Sequence, residues 1–393
     1  EGGRNMNAIG PSPLPDDLSW TIPYALTEDE VDTMIADFAE SAAWLYQCGW
    51  SGVEISAGHG HIFHQFMSAH SNIREDKYGG DLEGRTRIVT SLMSAIRDLT
   101  GSDFIIGVKL PGEDGEPGGI DFEEAKRISS IVATNGNANY ATYCWGSHSE
   151  TLYWHLPDLH GDRAPFINKI AEMAKPFGNT PVGALGLITD PNEGNHAIES
   201  GAADLVMMGR PLVTDPAWAK KTQEGREAHI RYCVSGNTCW KLSIDGGRLQ
   251  CDNTPRVGQS DEADWWPSPA ESKRKIVVVG TGVAGMEAAW IAGARGHNVI
   301  IFGTSGDVGG KARLHAELPG GENLSSIYDY QKLSADRAGV TFELGLTASA
   351  DDVLSLKPDT VILATGSTMT WPMFLPKEYK DEGFFLDLRE IMA

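Results

Sequence analysis

Three of the five cysteines stand close together near the middle of the chain. The stretch RYCVSGNTCWKLSIDGGRLQC, residues 231–251, contains Cys233, Cys239 and Cys251, with Gly236 midway between the first two. A cysteine at position 236 would complete the spacing C-x2-C-x2-C-x11-C, which can hold an iron–sulfur cluster. The spacing predicts a cluster site that lacks one ligand; a structural zinc site and loss of the cluster are the alternatives. Clustered thiols also indicate a reducing compartment, and we expect a cytoplasmic protein.

Histidines follow a short apolar stretch in ISAGHGHIFHQF, residues 55–66. Ser56, His59 and His61 come just after a predicted strand, where barrel enzymes carry their chemistry. Histidine at such a place can hydrogen-bond a substrate oxygen or move a proton near neutral pH. We therefore take these three residues as catalytic candidates. His64 is expected to pack within a helix, and H-G-H alone does not make a metal site.

A glycine motif opens the last third of the chain. In KIVVVGTGVAGMEAAWIAGARGHNVIIF, residues 275–302, Gly280, Gly282 and Gly285 form G-x-G-x-x-G between a strand and a helix. The first glycine permits a tight turn, the second lets a pyrophosphate approach the backbone, and the third allows close packing of helix and strand. The motif predicts a dinucleotide site. The acid that usually binds the ribose is replaced by Gly303, and VILATGS at 361–367 is typical of a later strand.

Other candidates for cofactor binding lie at the ends of predicted strands. Gly186 and the pair Gly209–Arg210 follow two successive strands, where barrels often bind phosphate, although ordinary turn glycines are the alternative. Lys109 ends another strand, where a cation can stabilise the reduced form of a flavin. The alternative for Lys109 is a surface lysine with its stem on apolar neighbours.

Strands and helices alternate over the first 230 residues, which predicts an α/β fold with a covered parallel sheet. The predicted helices are 28–47, 85–99, 121–134, 166–175 and 192–200. The predicted strands are 52–56, 104–110, 140–145, 180–186 and 203–210. Five units match a (β/α)8 TIM barrel that lacks its first three units, or an open sheet. Residues 211–274 have the composition of an irregular connector.

The expected organisation has three parts: a barrel at 1–225, an iron–sulfur cysteine segment and linker at 226–274, and a Rossmann-like dinucleotide-binding domain at 275–393. The chain opens on EGGRNMN and ends soon after a strand-like stretch, so we expect a fragment cut at both ends. The formal net charge of −22 argues against nucleic acid and against an anionic membrane surface as partners. No apolar run is long enough to predict a membrane span.

The stretch GVEISAGHGHIFHQFMSAHSNIREDKYGGDLEGRTR, residues 52–87, resembles the old yellow enzyme family. The family pattern is close to V-E-I-H-x-A-[HN]-G-Y-L-x-x-Q-F followed by N-x-R-x-D-x-Y-G-G-S-x-x-N-R. The matching residues are Glu54, His59, Gly60, Gln65, Phe66, Asn72, Arg74, Asp76, Tyr78, Gly79, Gly80 and Arg85. Together with the cysteines and G-x-G-x-x-G, they resemble the multidomain branch that includes trimethylamine dehydrogenase and 2,4-dienoyl-CoA reductase.

The resemblance implies FMN, an iron–sulfur cluster and FAD, ADP or NAD(P) as cofactors. It places Lys109 where the family has an arginine beside the flavin, and Gly186, Gly209 and Arg210 in the loops that bind the FMN phosphate. It also makes the three clustered cysteines cluster ligands, with Gly236 at the fourth position. A [3Fe–4S] centre, or a [4Fe–4S] centre with a different fourth ligand, is then expected.

The substrate positions depart from both kinds of relative. Enoate-reducing relatives have a histidine and a proton-donating tyrosine where this chain has Ser56 and His61, and His59 alone fits both kinds. The absence of the enoate-type set favours a small methylated amine, oxidised with loss of a methyl group. Reduction of an activated C=C bond with NAD(P)H is the alternative, and a nucleotide-binding protein without turnover is a third hypothesis. The expected partners are the small substrate, an electron-transfer protein or NAD(P)H, and further copies of the chain. Trp154 and Trp240 could form a cation-binding bowl, although core packing is the simpler role.

Overall fold

The computed structural model describes residues 8–15, 20–147, 150–368, 370–386 and 391–392. The chain divides into two compact units. The first comprises residues 1–158 and 162–208, and the second comprises 159–161 and 209–393. The cysteine segment, which we define as residues 231–253, therefore belongs to the second unit.

The first unit is built on a five-stranded parallel sheet whose spatial order follows the chain order. Its strands are β3 (Gly52–Ser56), β4 (Ile105–Glu113), β5 (Tyr140–Trp145), β6 (Val182–Ala184) and β7 (Leu205–Val206). A short parallel pair, β1 (Ile9–Gly10) and β2 (Tyr24–Ala25), precedes them. The helices are α1 (Glu28–Gln47), α2 (Ile62–Met67), α3 (Leu82–Thr100), α4 (Phe122–Asn135), α5 (Leu152–His155), α6 (Ile167–Ala174) and α7 (Pro191–Glu199), with a 3₁₀ turn at Lys175–Phe177.

Helix α1 shows why these segments form where they do. Thr27 and Glu30 form a reciprocal capping box that satisfies backbone N–H groups at the start of the helix. Val31, Ile35 and Ala39 then recur at helical spacing and are buried, so one face of α1 packs on the core. The sheet contributes alternate fully buried residues to the same core, as the interior strand β4 shows with its run IIGVKL.

The second unit contains a four-stranded parallel sheet in the order β10-β9-β8-β11. Its strands are β8 (Lys275–Val279), β9 (Asn298–Gly303), β10 (Thr341–Leu344) and β11 (Thr360–Leu363). The helices are α8 (Arg210–Thr214), α9 (Trp218–Gln223), α10 (Thr238–Ile244), α11 (Val283–Ala294), α12 (Lys311–Ala316), α13 (Ser325–Arg337), α14 (Ala350–Ser355) and α15 (Glu378–Asp381), with 3₁₀ turns at Glu227–His229 and Glu322–Leu324. Trp290 of α11 is fully buried and anchors this core against Trp265.

The α/β class with parallel sheets is confirmed, and the longer predicted elements lie within a few residues of the observed ones. Two expectations were wrong. The strand predicted at 203–210 ends at Val206, and Gly209 instead caps α8, because Pro211 favours the first turn of a helix. The region 211–274 is not irregular throughout, since it contains α8, α9 and α10. Within the described residues, no helix combines the length and the apolar character that crossing a membrane requires.

Candidate functional site

The turn after β3, residues 56–61, carries the histidines of the first unit and is called the histidine turn below. His59 has a left-handed backbone (φ +58), and Gly60 follows with φ +78. Gly60 donates its N–H to Nδ1 of His64 at 2.8 Å. Because Nδ1 accepts this bond, the ring proton of His64 lies on Nε2 and is donated to Oδ1 of Asp114 at 2.9 Å. The unusual backbone at His59 is thus held by a buried hydrogen-bond chain.

The two side chains of this hydrogen-bond chain are almost inaccessible to water. His64 is 4% exposed and Asp114 is 2% exposed. The second oxygen of Asp114 accepts the N–H of Ile120 at 2.8 Å. His64 therefore belongs to a helix and is buried, as predicted, but it also acts as the support of the histidine turn. Asp114 escaped the sequence analysis because fifty residues separate it from its partner.

The structure brings a further histidine to this turn. The ring centroid of His155, in α5, lies 3.7 Å from that of His59. The ring centroid of His61 lies 6.4 Å from that of His59. His155 was not predicted from the sequence, although α5 follows β5 and lies at the same edge of the sheet. Three imidazoles at one strand-end edge can bind a polar substrate atom and relay a proton. Ser56 ends the neighbouring strand β3 and is exposed.

Lys109 is not a surface lysine. Its Nζ lies 3.0 Å from Oε1 of Glu54, on the adjacent strand, and its side chain is 26% exposed. Tyr140 donates its hydroxyl to the other oxygen of Glu54 at 3.0 Å. Burial, together with the Glu54 charge, raises the pKa of Tyr140 to about 12. Lys109 lies in the middle of β4, not at its end as predicted, and it pairs with Ser56 at the end of β3. A fixed cation therefore stands beside the histidine turn, which is what stabilising a reduced flavin requires.

Several residues of the family pattern are structural. The Asn72 side chain donates to the backbone oxygens of Phe66 and Tyr78, and Arg85 donates to those of Met67 and Gly80. These bonds fasten the loop before α3 to α2 and α3. Gly84, which departs from the family asparagine, is closely packed, since a β-carbon there would lie 2.1 Å from the Gly79 oxygen. The two tryptophans considered for a cation-binding bowl lie in different units, and Trp154 packs against the core of the first.

The glycines predicted for phosphate binding have different surroundings. Gly186 has a φ of +111, and a β-carbon there would lie 2.6 Å from the Phe166 ring. A β-carbon at Gly209 would meet no atom within 4 Å, so space is left there for a ligand. Arg210 donates to the side chain of Asn237 in the cysteine segment. Within the second unit, Arg210 thus lies beside the cysteines.

Backbone N–H groups donate hydrogen bonds to two of the three clustered cysteines. Ser235 donates its N–H to Sγ of Cys233 and Asn253 donates its N–H to Sγ of Cys251, each at 3.4 Å. Burial and the neighbouring Cys233 raise the pKa of Cys239. These contacts show sulfurs gathered in one electrostatic environment with N–H groups turned towards them, an arrangement that suits an iron–sulfur cluster.

A single metal ion is a poorer fit. In the parts of the chain that the structure describes, no three His, Cys, Asp or Glu side chains converge closely enough to hold one ion. A mononuclear zinc site needs its ligands within about 2.0–2.3 Å of one point. A cluster instead distributes its cysteines over separate iron atoms. The described residues therefore offer no converging set of ligands for the zinc site considered from the sequence.

The glycine motif lines a cavity of about 460 Å³ in the second unit. A β-carbon at Gly280 would lie 2.1 Å from the Ala364 oxygen, and one at Gly285 would lie 1.9 Å from the Gly280 oxygen, so both positions need glycine. At Gly282, which caps α11, a β-carbon would meet nothing within 4 Å. Open space at that glycine is what the approach of a pyrophosphate requires.

The cavity is free of acidic side chains among its described lining residues, although the chain is strongly acidic. Lys311 and Arg313 line it, and Lys311 donates to Ser367 at 2.7 Å. Neither cation was predicted from the sequence, although Lys311 directly follows Gly310 and Arg313 comes two residues later. At Gly303, a β-carbon would lie 2.4 Å from the Thr281 hydroxyl oxygen. Thr281 thus occupies the space into which the usual acid would extend, and the cavity suits an anionic nucleotide.

The family model described as the NADH:flavin oxidoreductase / NADH oxidase family matches residues 6–229. The chain belongs to this family. It is 33% identical over 403 residues to the NADH oxidase of Thermoanaerobacter brockii, covering 99% of this chain and 59% of that protein. It is 32% identical over 365 residues to the N,N-dimethylglycine/sarcosine dehydrogenase of Chromohalobacter salexigens, covering 91% and 52%.

Solved structures give the same picture. A 2-naphthoyl-CoA reductase in complex with 2-naphthoyl-CoA matches with a TM-score of 0.90 and 26% identity, covering 98% of this chain and 58% of that one. The chain thus spans between half and three fifths of the length of these relatives. The resemblance to multidomain old yellow enzymes, drawn from residues 52–87 and the later motifs, is confirmed, as is a flavin-dependent oxidoreductase family.

Proposed function

We propose that this chain is part of an FMN- and iron–sulfur-dependent oxidoreductase that oxidises a small methylated amine and releases its methyl group as formaldehyde. The observation that carries the proposal is the cysteine segment, where N–H-bonded thiols follow a domain of the flavin oxidoreductase family. When bound, the FMN would take two electrons from the substrate and the cluster would pass them on singly. The relative that acts on N,N-dimethylglycine and sarcosine supports the amine as substrate.

The proposed roles of the residues follow from their places. Sheet β3–β7 is proposed as part of a (β/α)8 barrel, with Lys109 beside the flavin ring and Gly186, Gly209 and Arg210 at its phosphate. The histidine turn, with Ser56, His59 and His61, would hold the substrate. Oxidation would break a methyl C–H bond, with the hydride going to the flavin, and would leave an iminium ion. Water would convert this ion to the demethylated amine and formaldehyde with release of a proton. His59, whose ring is tilted against that of His155 and whose backbone is held by the His64–Asp114 pair, would accept that proton.

The second unit is proposed as a Rossmann-like domain that binds FAD, ADP or NAD(P). The sheet order β10-β9-β8-β11, the open space at Gly282 and the cavity lined by Lys311 and Arg313 support this proposal. The three-part division at 225 and 274 remains a prediction. Electrons leaving the cluster would go to a partner protein or to NAD(P)⁺.

Reduction of an activated C=C bond with NAD(P)H is the second candidate. The match to a 2-naphthoyl-CoA reductase at a TM-score of 0.90 favours it. Two assays on the full-length protein separate the candidates. Formaldehyde release from sarcosine or N,N-dimethylglycine, coupled to reduction of a dye, is expected from the amine enzyme. NADH consumption that depends on an enone or an enoyl-CoA, with no formaldehyde from any N-methyl amine, would contradict the first proposal and support the second.

A further inference from the structure

The space beside Gly236 in the cysteine segment is occupied by a carboxylate. Gly236 stands where the family has a ligand cysteine, but the space beside it is not empty. A β-carbon built on Gly236 would lie 2.6 Å from Oδ2 of Asp252, closer than real side chains pack. The carboxylate therefore lies where a side chain at position 236 would extend.

The orientation of this carboxylate is set by its other oxygen. Oδ1 of Asp252 accepts the hydroxyl proton of Thr238 at 2.7 Å. Thr238 directly precedes Cys239, and Asp252 directly follows Cys251. The residue that orients the carboxylate and the residue that bears it are thus each next to one of the three clustered cysteines. Oδ2 is left turned towards Gly236, on the side where the fourth ligand belongs.

The two chain segments that carry Gly236 and Asp252 are tied together. The Asn253 side chain donates to the Tyr232 oxygen at 2.8 Å, and the Arg231 guanidinium donates to the Asn253 oxygen at 2.7 Å. On the other side of the turn, Ser235 and Asn237 both have left-handed backbones, with φ of +58 and +60. Residues other than glycine seldom adopt this conformation, so the turn is built for one geometry.

We propose that Oδ2 of Asp252 is the fourth ligand of a [4Fe–4S] cluster held by Cys233, Cys239 and Cys251. The inference rests on the proposed function, because it requires that a cluster is bound. Glycine at position 236 and aspartate at position 252 are then complementary: the first makes room that the second fills. Carboxylate oxygen is a harder ligand than thiolate and binds iron of a cluster less strongly. The iron on Asp252 is therefore the one that leaves first.

The expected reaction is specific. One-electron oxidation of the [4Fe–4S]²⁺ cluster by ferricyanide removes the iron held by Asp252 as Fe²⁺ and leaves [3Fe–4S]⁺, with the electron on the oxidant. Addition of Fe²⁺ and a one-electron reductant reverses the step. A cluster held by four thiolates resists this loss, because each iron keeps a soft ligand.

The test compares four forms of the full-length protein, purified without oxygen: the unchanged chain, Asp252→Ala, the double variant Gly236→Cys with Asp252→Ala, and the control Asp245→Ala. Asp245 is an exposed carboxylate of the same segment, paired with Lys241 at 3.1 Å. Iron, acid-labile sulfide and FMN are quantified on each sample, and EPR and Mössbauer spectra are recorded before and after ferricyanide.

The unchanged chain and Asp245→Ala are expected to hold four irons and to lose one on oxidation, with the EPR signal of a three-iron cluster. Asp252→Ala is expected to hold three irons from the start, and the double variant to keep four through oxidation. A four-iron cluster in Asp252→Ala that loses one iron on oxidation just as the unchanged chain does would overturn the assignment, as would a three-iron cluster in the unchanged chain after Fe²⁺ is supplied.

A cluster in the double variant but not in the unchanged chain would also overturn it. Absence of iron from every form would contradict the cluster in the proposed function. The FMN content of the same samples then tests the proposed flavin cofactor separately. Failure of the ligand assignment is thus distinguishable from failure of the proposed function.

Discussion

The histidine turn and the cysteine segment both depart from the family pattern, but they differ in what surrounds the departure. In the histidine turn, Ser56 and His61 change side chains while the backbone is held by the buried His64–Asp114 pair. In the cysteine segment, the exposed Gly236 stands where the family pattern has a cysteine, and the Asp252 carboxylate lies where a side chain at position 236 would extend. Reacting side chains can be exchanged where the backbone is held rigidly. On an exposed loop, a nearby side chain can instead take the place of a missing one.

The largest expected effect comes from breaking the buried frame. Asp114→Ala leaves the ring N–H of His64 and the N–H of Ile120 without their buried acceptor, and it should cost about 3 kcal/mol of stability. The free energy of unfolding from urea titration measures it. Asp245→Ala, which removes an exposed carboxylate of the cysteine segment, serves as the matched control and should change stability by less than about 1 kcal/mol. Equal losses in the two variants would contradict the comparison.

A pair of glycine substitutions sharpens the same contrast. In Gly58→Ala the new β-carbon would lie 1.9 Å from Sγ of the buried Cys144, and overpacking of this kind costs about 2 kcal/mol. In Gly236→Ala the β-carbon meets the far end of the exposed Asp252 side chain, which can move away. Gly236→Ala should therefore leave the melting temperature nearly unchanged while it lowers the iron content. A larger stability loss in Gly236→Ala than in Gly58→Ala would show that the cysteine segment is the more rigid region.

A smaller effect is expected at Lys109, which lies in the middle of β4 and pairs with Ser56 of the histidine turn. Lys109→Met removes the cation that pairs with Glu54, and flavin affinity should fall about tenfold, or about 1.4 kcal/mol. Lys109→Arg keeps the charge, and the family has arginine at this place, so it should bind FMN nearly as well as the unchanged chain. Fluorescence of released FMN during dialysis measures the difference. Equal retention of FMN by Lys109→Met and Lys109→Arg would rule out the proposed role.

The smallest effect concerns Cys144, which packs against the histidine turn. Burial raises the pKa of its thiol to about 12. Its reactive thiolate is therefore scarce at neutral pH, and the native protein should leave Cys144 unmodified by iodoacetamide between about pH 7 and pH 9. The exposed Cys48 is the internal control and should react throughout. Peptide mapping by mass spectrometry reads out both sites; modification of Cys144 at the rate of Cys48 would mean that the turn opens.

Local patterns in the sequence were enough to predict the frame of both units. Helix α1 carries its capping box and its apolar period in adjacent residues, and G-x-G-x-x-G carries its own turn, so both are predictable. The end of β7 was misjudged, because an apolar run such as ADLVMMGR does not show where pairing with β6 stops.

The parts of the sites that depend on distant contacts could not be predicted. Asp114 and His64 are separated by fifty residues, and His155 reaches His59 only through the arrangement of the sheet. Asp252 lies beside a cysteine in the sequence, but its place next to Gly236 depends on a turn sixteen residues earlier. Comparison with the family pattern shows that a cysteine is missing at position 236. Only the fold shows which side chain lies beside that position.

The most direct test of the account is the visible spectrum of the full-length protein purified without oxygen, with FMN, iron and acid-labile sulfide quantified on the same sample. The account predicts FMN together with four irons and matching sulfide per chain. FMN without iron would contradict the cluster and the ligand role of Asp252. A protein with no flavin at all would contradict the proposed oxidoreductase.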